Sequence, residues 1–461
     1  MMRRSAAVIL GASLIAAATP ARAADGLGLN VHQSTGVGLD VTRAASLAWV
    51  RIDVNWFQAE PSQGQYDWTL LDQVVDGATA RGLSVLAVLA YTPAWASAGD
   101  TKGDGSNNDV PQPGTYPAFV TAAANHFASR VTHYELWNEP NLGQFWEGSS
   151  QAYTSLVLLP GAQALHAACP SCKVVAPGLA TIAGQWDIWM DAALTAAQSQ
   201  IDILSGHDYG AFPQDTPGAG GATDSFYNKL DSHRIVKIGD TVVFEGPLSL
   251  KEVMDKHGAT QPFWLTETGT EATYGDTTAE AAQTLYYRRV LESMLGRPWW
   301  QTTIFYEGFD VPPPAQYHFG VAVDDPAADA GFDEKPVMAL LRKAAQNQPL
   351  FGGIGTDCED GLDNDGDGLV DYPADPDCTS PTSASEGLPP SDAGADAAAV
   401  DAGDSEGASG GGGCSCDVGS SGSTPSVAGI ALALGWLMRR GRLAGLSAAR
   451  RRRPRSSTGR S

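Results

Sequence analysis

From Leu27 onward, short apolar runs of strand length alternate with stretches of helical character, and eight such pairs fit before about residue 352. Strands that alternate with helices form a parallel sheet joined by crossover helices. The runs are Leu27 to His32, Leu47 to Trp56, Ser84 to Ala90, the stretch from Tyr134, Lys173 to Ala180, Ile201 to Tyr209, the stretch from Pro262, and Trp299 to Glu307. Between the second and third, Asp67 stands as a helix N-cap, Leu71, Val74, Val75 and Ala78 share one face, and Gly82 stands where the helix stops. Further helices are expected from Asp40, around Phe119 to Phe127, up to Cys169 with a break at Pro160-Gly161, over Leu250 to His257, over Thr277 to Leu295 and from Lys335. A whole count of eight pairs agrees with a closed barrel.

Two acids stand at the ends of two of these runs. In Tyr134-Glu-Leu-Trp-Asn-Glu-Pro-Asn141, Pro140 pushes Glu139 away from helical angles, so Glu139 is expected to stay extended where the strand stops. In Pro262-Phe-Trp-Leu-Thr-Glu-Thr-Gly-Thr270, a second apolar run ends at Glu267, and a Gly lets the chain turn outward. Glycosidic bond cleavage needs such a pair, one acid at the leaving oxygen and one facing the anomeric carbon.

Trp-Asn-Glu-Pro-Asn followed far downstream by Trp-Leu-Thr-Glu-Thr-Gly resembles the retaining glycoside hydrolases of clan A, and within it family 39 and its family 5-like relatives. The resemblance covers roughly residues 27 to 350. It implies a (β/α)8 TIM barrel whose active site lies at the C-terminal ends of the strands. It implies Glu139 as acid/base at strand four and Glu267 as nucleophile at strand seven, their carboxyl groups about 5 to 5.5 Å apart. Arg51 would favour the charged form of Glu267, Asn138 would bond the sugar 2-hydroxyl, and Tyr209 would bond the nucleophile. His207 is a substrate contact or a structural histidine, and His32 is a weaker candidate. Glu135 and Glu307 lack the Asn-before and Pro-after setting and are read as supporting carboxylates. No cofactor is implied for catalysis.

Aromatic faces suit the apolar faces of pyranose rings, which makes Trp95, Trp146 and Tyr306 candidate sugar platforms, with Trp146 favoured by its loop position after the acid/base strand. Cys169-Pro-Ser-Cys172 reads as a local disulfide in an exported protein.

The ends of the chain point to export. Residues 1–23 carry Arg3 and Arg4, an apolar run from Ala6 to Ala18 and Ala21-Arg-Ala23, the pattern of a secretory signal peptide. Residues 24–352 form the barrel domain. In 353–380, Cys358 and Cys378 flank Asp363, Asp365, Asp367 and Asp371, spaced as in the first half of an EF-hand loop, with Ala374 where a bidentate Glu belongs. This predicts a short structural calcium element. Residues 381–413 are a low-complexity linker too poor in large apolar side chains to fold. Residues 414–461, with Cys414, Cys416, an apolar run and an Arg cluster, resemble a myxobacterial-type C-terminal sorting signal, which implies sorting machinery as a partner and a cell-surface location. A formal charge of -23 argues against nucleic acid or an acidic polymer as partner, and the resemblance to clan A implies a carbohydrate substrate. Two other readings stay open: an endo-acting cellulase- or mannanase-like enzyme of the same clan, and an inactive carbohydrate-binding barrel.

Overall fold

A computed structural model describes residues 25–348 apart from 101, 182–184, 210–228, 234, 239–240, 296 and 311–316. The signal peptide, the Asp363–Asp371 element, the linker and the sorting segment lie outside the described residues. Eight parallel strands close on themselves, each hydrogen-bonded to its neighbours in sequence and the last to the first. They are β1 (Leu27–Asn30), β2 (Trp49–Asn55), β3 (Ser84–Ala90), β4 (His133–Leu136), β5 (Lys173–Ala180), β6 (Ile203–His207), β7 (Phe263–Thr268) and β8 (Trp300–Phe305). Each is followed by a helix: α1 (Val37–Ala44), α2 (Thr69–Ala80), α3 (Thr115–Phe127), α4 (Leu159–Ala168), α5 (Trp186–Ala197), α6 (Leu250–Lys256), α7 (Thr277–Leu295) and α8 (Val337–Ala345). The fold is a (β/α)8 barrel. Two antiparallel strand pairs outside it, Ile235–Ile238 with Thr241–Glu245 and Ala322–Asp324 with Phe332–Glu334, are not foreseen in the sequence.

Alternation of side chains along the strands fills the barrel in layers. At the bottom, the Trp49 and Trp264 rings meet edge to face at 4.9 Å, and His133 stacks on Trp264 at 5.2 Å. Two residues further along the same strands come Arg51, Glu135 and Thr266, which are bonded to one another. An apolar floor therefore supports a charged layer.

Local signals act largely as expected on the outside. Gly82 ends α2 with φ +71, a left-handed angle that glycine adopts without cost. Asp67 accepts the Thr69 N–H at 3.0 Å, although Trp68 holds the N-cap position. The expected break at Pro160-Gly161 does not occur. Instead, a π turn over Thr154–Leu158 runs directly into α4 and accommodates the missing N–H of Pro160. Gly161 is there for packing, since a Cβ would come within 2.9 Å of the Tyr116 ring on α3.

Several strands end earlier than their apolar runs. β1 stops at Asn30, β4 at Leu136, β6 at His207 and β8 at Phe305. The residues beyond leave the ladder to line the barrel mouth. Glu139 is therefore not extended: Trp137 and Glu139 have φ +84 and +44. Bonds to β5 impose this shape. The Glu139 N–H donates to Gly178 O at 2.9 Å, and the Asn141 side chain exchanges two hydrogen bonds with the backbone of Ala180. Cross-strand bonding overrides the preference that Pro140 sets.

Gly178 is the tightest point of this support. It has φ +60, and a Cβ would lie 2.9 Å from Glu135 Oε1 and 3.1 Å from Trp137 O. Gly178→Ala should cost roughly 1–3 kcal/mol in urea unfolding. Wild-type stability in that variant would contradict the claim that this contact sets the shape of the β4 loop.

Candidate active site

Arg51, 1% exposed, organises the centre. Its Nε donates to Glu135 Oε2 at 2.7 Å, Nη1 to Glu267 Oε1 at 2.5 Å and Nη2 to Asn138 Oδ1 at 2.8 Å. Thr266 Oγ1 donates to the other oxygen of Glu135 at 2.7 Å, so that carboxylate is held from both sides. Glu135 thus fixes Arg51, and Arg51 fixes both Glu267 and Asn138.

A register slip brings Glu267 to this point. Leu265 pairs with Gly206 and Glu267 with His207, so β7 carries one extra residue there. Such a bulge re-aims a side chain. Here it lets the consecutive residues Thr266 and Glu267 both reach the interior network.

Around the two acids, Tyr209 Oη donates to Glu267 Oε2 at 2.8 Å, and His207 Nδ1 lies 2.9 Å from Glu139 Oε1 and 3.6 Å from Glu267 Oε2. One carboxylate oxygen of Glu139, one of Glu267 and a His207 ring nitrogen lie within 4.8 Å of one another. These are donor types that a metal also takes, but the guanidinium on Glu267 repels a second cation there. Buried and without a hydrogen-bond partner are Asn138 Nδ2, Glu139 Oε2 and His207 Nε2, the last 4.0 Å from Glu135 Oε1. Three unpaired polar atoms in one buried centre mark where a polar ligand would sit.

The surroundings drive the two acids apart. Burial raises the Glu139 carboxyl above its ordinary range; His207 offsets part of this and the charge of Glu267 adds to it. Burial also pushes Glu267 up, but His207, Arg51 and the Tyr209 hydroxyl outweigh it and hold the group below its ordinary range. The surroundings thus favour the proton on Glu139 and the charge on Glu267.

Beside this centre, His32 Nδ1 meets Asp53 at 2.9 Å and Nε2 meets Glu307 at 3.0 Å. Sequence reasoning ranked His32 low and missed Asp53, although Arg51 and Asp53 are two apart on β2 and share a face. The Tyr306 ring stands edge-on to His32 and Tyr209 in the aromatic wall with Phe319. Trp95 is half-buried, donating from Nε1 to Glu60 O at 2.8 Å. Trp146 departs from expectation. It is 2% exposed, edge-on to Trp137 and Tyr153, with Nε1 directed to Ser149 O, so it belongs to the core and presents no face to a sugar. The Cys169–Cys172 disulfide is present, away from the site.

With the geometry in place, relatives can be compared. A family model described as beta-galactosidase matches residues 34–119, which hold β2, β3 and Arg51 but neither Glu139 nor Glu267. A beta-xylosidase from Geobacillus stearothermophilus is 27% identical over 158 residues, 31% of this chain and 31% of the relative. The matched part is thus under a third of that enzyme. A family 39 glycoside hydrolase from the gut symbiont Bacteroides cellulosilyticus superposes with a TM-score of 0.50 at 20% identity, covering 69% of this chain and 63% of that one. A GH39 enzyme from Xanthomonas axonopodis pv. citri gives 0.50 at 18% identity, with 71% and 67% covered. The two structures share the barrel fold. All four matches carry the names of glycoside hydrolases.

Two outcomes follow from the charges. Arg51→Met leaves Glu135 and Glu267 buried without their cation and should destabilise by about 3–5 kcal/mol, read as a lower denaturant midpoint; an unchanged midpoint would contradict the organising role of Arg51. For His32, burial lowers the imidazole pKa, but Asp53 and Glu307 outweigh it and raise it from 6.5 to about 10. Its contribution to stability is full below pH 6.5 and is lost as pH rises towards 10. Melting temperatures measured across that window should fall more steeply in the wild type than in His32→Gln. Parallel curves would rule the ion pair out as a source of pH dependence.

Proposed function

We propose that this chain is a retaining glycosidase that hydrolyses β-glycosidic bonds in oligo- or polysaccharides. The observation that carries this reading is the pair Glu139 and Glu267, with an oxygen of each within 4.8 Å and environments that favour opposite protonation states. Retaining chemistry uses carboxyl groups about 5–5.5 Å apart, whereas inversion leaves a gap of about 6.5–9.5 Å for a water between acid and sugar. An oxygen of each acid within 4.8 Å of the other is in keeping with the closer, retaining arrangement.

In the first step the Glu267 carboxylate attacks the anomeric carbon as the bond to the leaving oxygen breaks, and the Glu139 proton passes to that oxygen. The product is a glycosyl ester on Glu267. Glu139, now ionised, takes a proton from water, the water oxygen attacks the same carbon, and the ester bond breaks. Two inversions retain the configuration. Arg51 and Tyr209 hold Glu267 ionised and aimed, and the free Nδ2 of Asn138 would donate to the sugar 2-hydroxyl. The proton taken from water restores Glu139 to its starting form, and burial with the nearby negative charge of Glu267 keeps it there.

The matched relatives carry two sugar names, galactose and xylose, and share the β linkage, which is as far as the substrate assignment goes. Export and surface attachment complete the proposal, supported by the leader pattern at 1–23, the sorting-like segment at 414–461 and a disulfide of the kind that oxidising compartments maintain.

The test is hydrolysis of a panel of β-linked oligo- and polysaccharides, with product anomers followed by NMR. Wild type should retain configuration, and Glu139→Ala and Glu267→Ala should each lose at least about 10³-fold in kcat, with azide restoring Glu267→Ala as a glycosyl azide of inverted configuration. No turnover on any substrate, with sugar binding unaffected by either change, would replace the enzyme with a carbohydrate-binding barrel.

A further inference from the structure

We propose that Asp208, which has no role in the centre described above, is the positioning residue that aims His207 and Tyr209 at the two acids. It stands between them in sequence and is 0% exposed. Successive side chains of an extended chain alternate in direction, so where His207 meets Glu139 and Tyr209 meets Glu267, Asp208 turns the other way. There its carboxylate is gripped. Thr181 Oγ1 donates to Asp208 Oδ1 at 2.8 Å, and Lys229 Nζ donates to the same oxygen at 3.2 Å.

The backbone of the same residue is held on two further sides. The Asp208 N–H donates to Glu267 O at 3.1 Å, beside the extra residue of β7, and the Asp208 carbonyl accepts from Tyr286 Oη at 3.4 Å. Tyr286 Oη also lies 2.8 Å from Thr268 Oγ1, and the Thr181 N–H donates to His207 O at 3.0 Å. Bonds from the end of β5, from β7, from α7 and from Lys229 therefore converge on one residue. Turning the chain at 208 to swing either neighbour off its acid would break them and leave a buried carboxylate and an ammonium unmatched. The direct bond to Glu267 O also fixes Tyr209 relative to the residue that its hydroxyl serves.

Burial pushes both acids up; His207 opposes this on each, and the Tyr209 hydroxyl opposes it on Glu267. Losing that aim therefore raises Glu267. Removing the negative charge of Asp208 would by itself do the opposite, since a departing anion favours the ionised form of a nearby carboxylate. The sign separates positioning from charge. Arg51, His32, Glu135, Tyr91 and Tyr306 also face this centre, but they come from other strands and the loops after them.

The test is an NMR titration of isotope-labelled Glu carboxyl carbons in the full chain, with Glu267 assigned through Glu267→Gln. Wild type, Asp208→Ala, Thr181→Val and Tyr209→Phe are compared. The catalytic role rests on the glycosidase reading, whereas this titration needs no turnover. Tyr209→Phe calibrates the loss of one hydrogen bond to an ionised group, about one pH unit in the Glu267 midpoint. Asp208→Ala should raise that midpoint by a similar amount. An unchanged or lowered midpoint in the folded variant overturns the assignment. Thr181→Val leaves the Asp208 charge and the Thr181 N–H in place and should raise the midpoint by less. Should Asp208→Ala fail to fold, this arm decides, and a wild-type midpoint in it overturns the assignment. On a β-glycoside that the wild type cleaves, Asp208→Ala should lower kcat about 10-fold and move the acid limb of kcat/KM up in parallel, which lost stability alone would not do. Absence of wild-type turnover would count against the glycosidase reading, with the hold on Glu267 still decided by the titration.

Discussion

One guanidinium holds the charged layer of this barrel together. Arg51 is bonded at three nitrogens to Glu135, Glu267 and Asn138, on β2, β4, β7 and the loop after β4. A buried cation with two buried anions is expensive to form and far more expensive to break, because removing one member strands the others. That cost is what makes the arrangement specific. The nucleophile candidate keeps one geometry and one charge state because any other leaves an unpaired ion in a low-dielectric interior.

The rest of the architecture serves this layer. Trp49, Trp264 and His133 fill the barrel below it and exclude water from beneath the charges. Above it, the chain gives up regular structure to deliver side chains. The β7 bulge turns Glu267 inward beside Thr266, and the left-handed turn at Trp137 and Glu139 carries the acid/base candidate over β5. Each departure from ideal strand geometry occurs where a polar group must be aimed. This agrees with the tendency of strain and bulges to collect at functional sites.

Much of this was legible in the sequence. The strand and helix alternation, counted with the help of the resemblance that the two Glu motifs carry, led to the barrel, with β3, β5 and α7 placed to the residue, because core faces and helix stops are written in periodicity and glycine. The pair Glu139 and Glu267 stood out by their strand-end setting. What stayed hidden depended on contacts between distant strands. Nothing in Thr-Glu-Thr announces a bulge, since its cause is the pairing of β7 with β6. Glu139 was expected to be extended because Pro140 is visible in the sequence and the bond to Gly178 is not. Trp146 looked like a platform because its loop position is visible, whereas the path of the loop that folds it between the Trp137 and Tyr153 rings is not. His32 and Asp53 seemed unremarkable until β1, β2 and the end of β8 met.

The central claim, that Glu267 is the nucleophile of a two-step displacement, is tested most directly by trapping its ester. Incubation with activated 2-deoxy-2-fluoro-β-glycosides slows both steps, with the second made limiting by a good leaving group, so that the glycosyl-enzyme accumulates and is located by peptide mass mapping. The account predicts one sugar per chain, attached to the peptide containing Glu267. Attachment at Glu139 or Glu135 would contradict it, and so would rapid turnover to product of inverted configuration without any adduct.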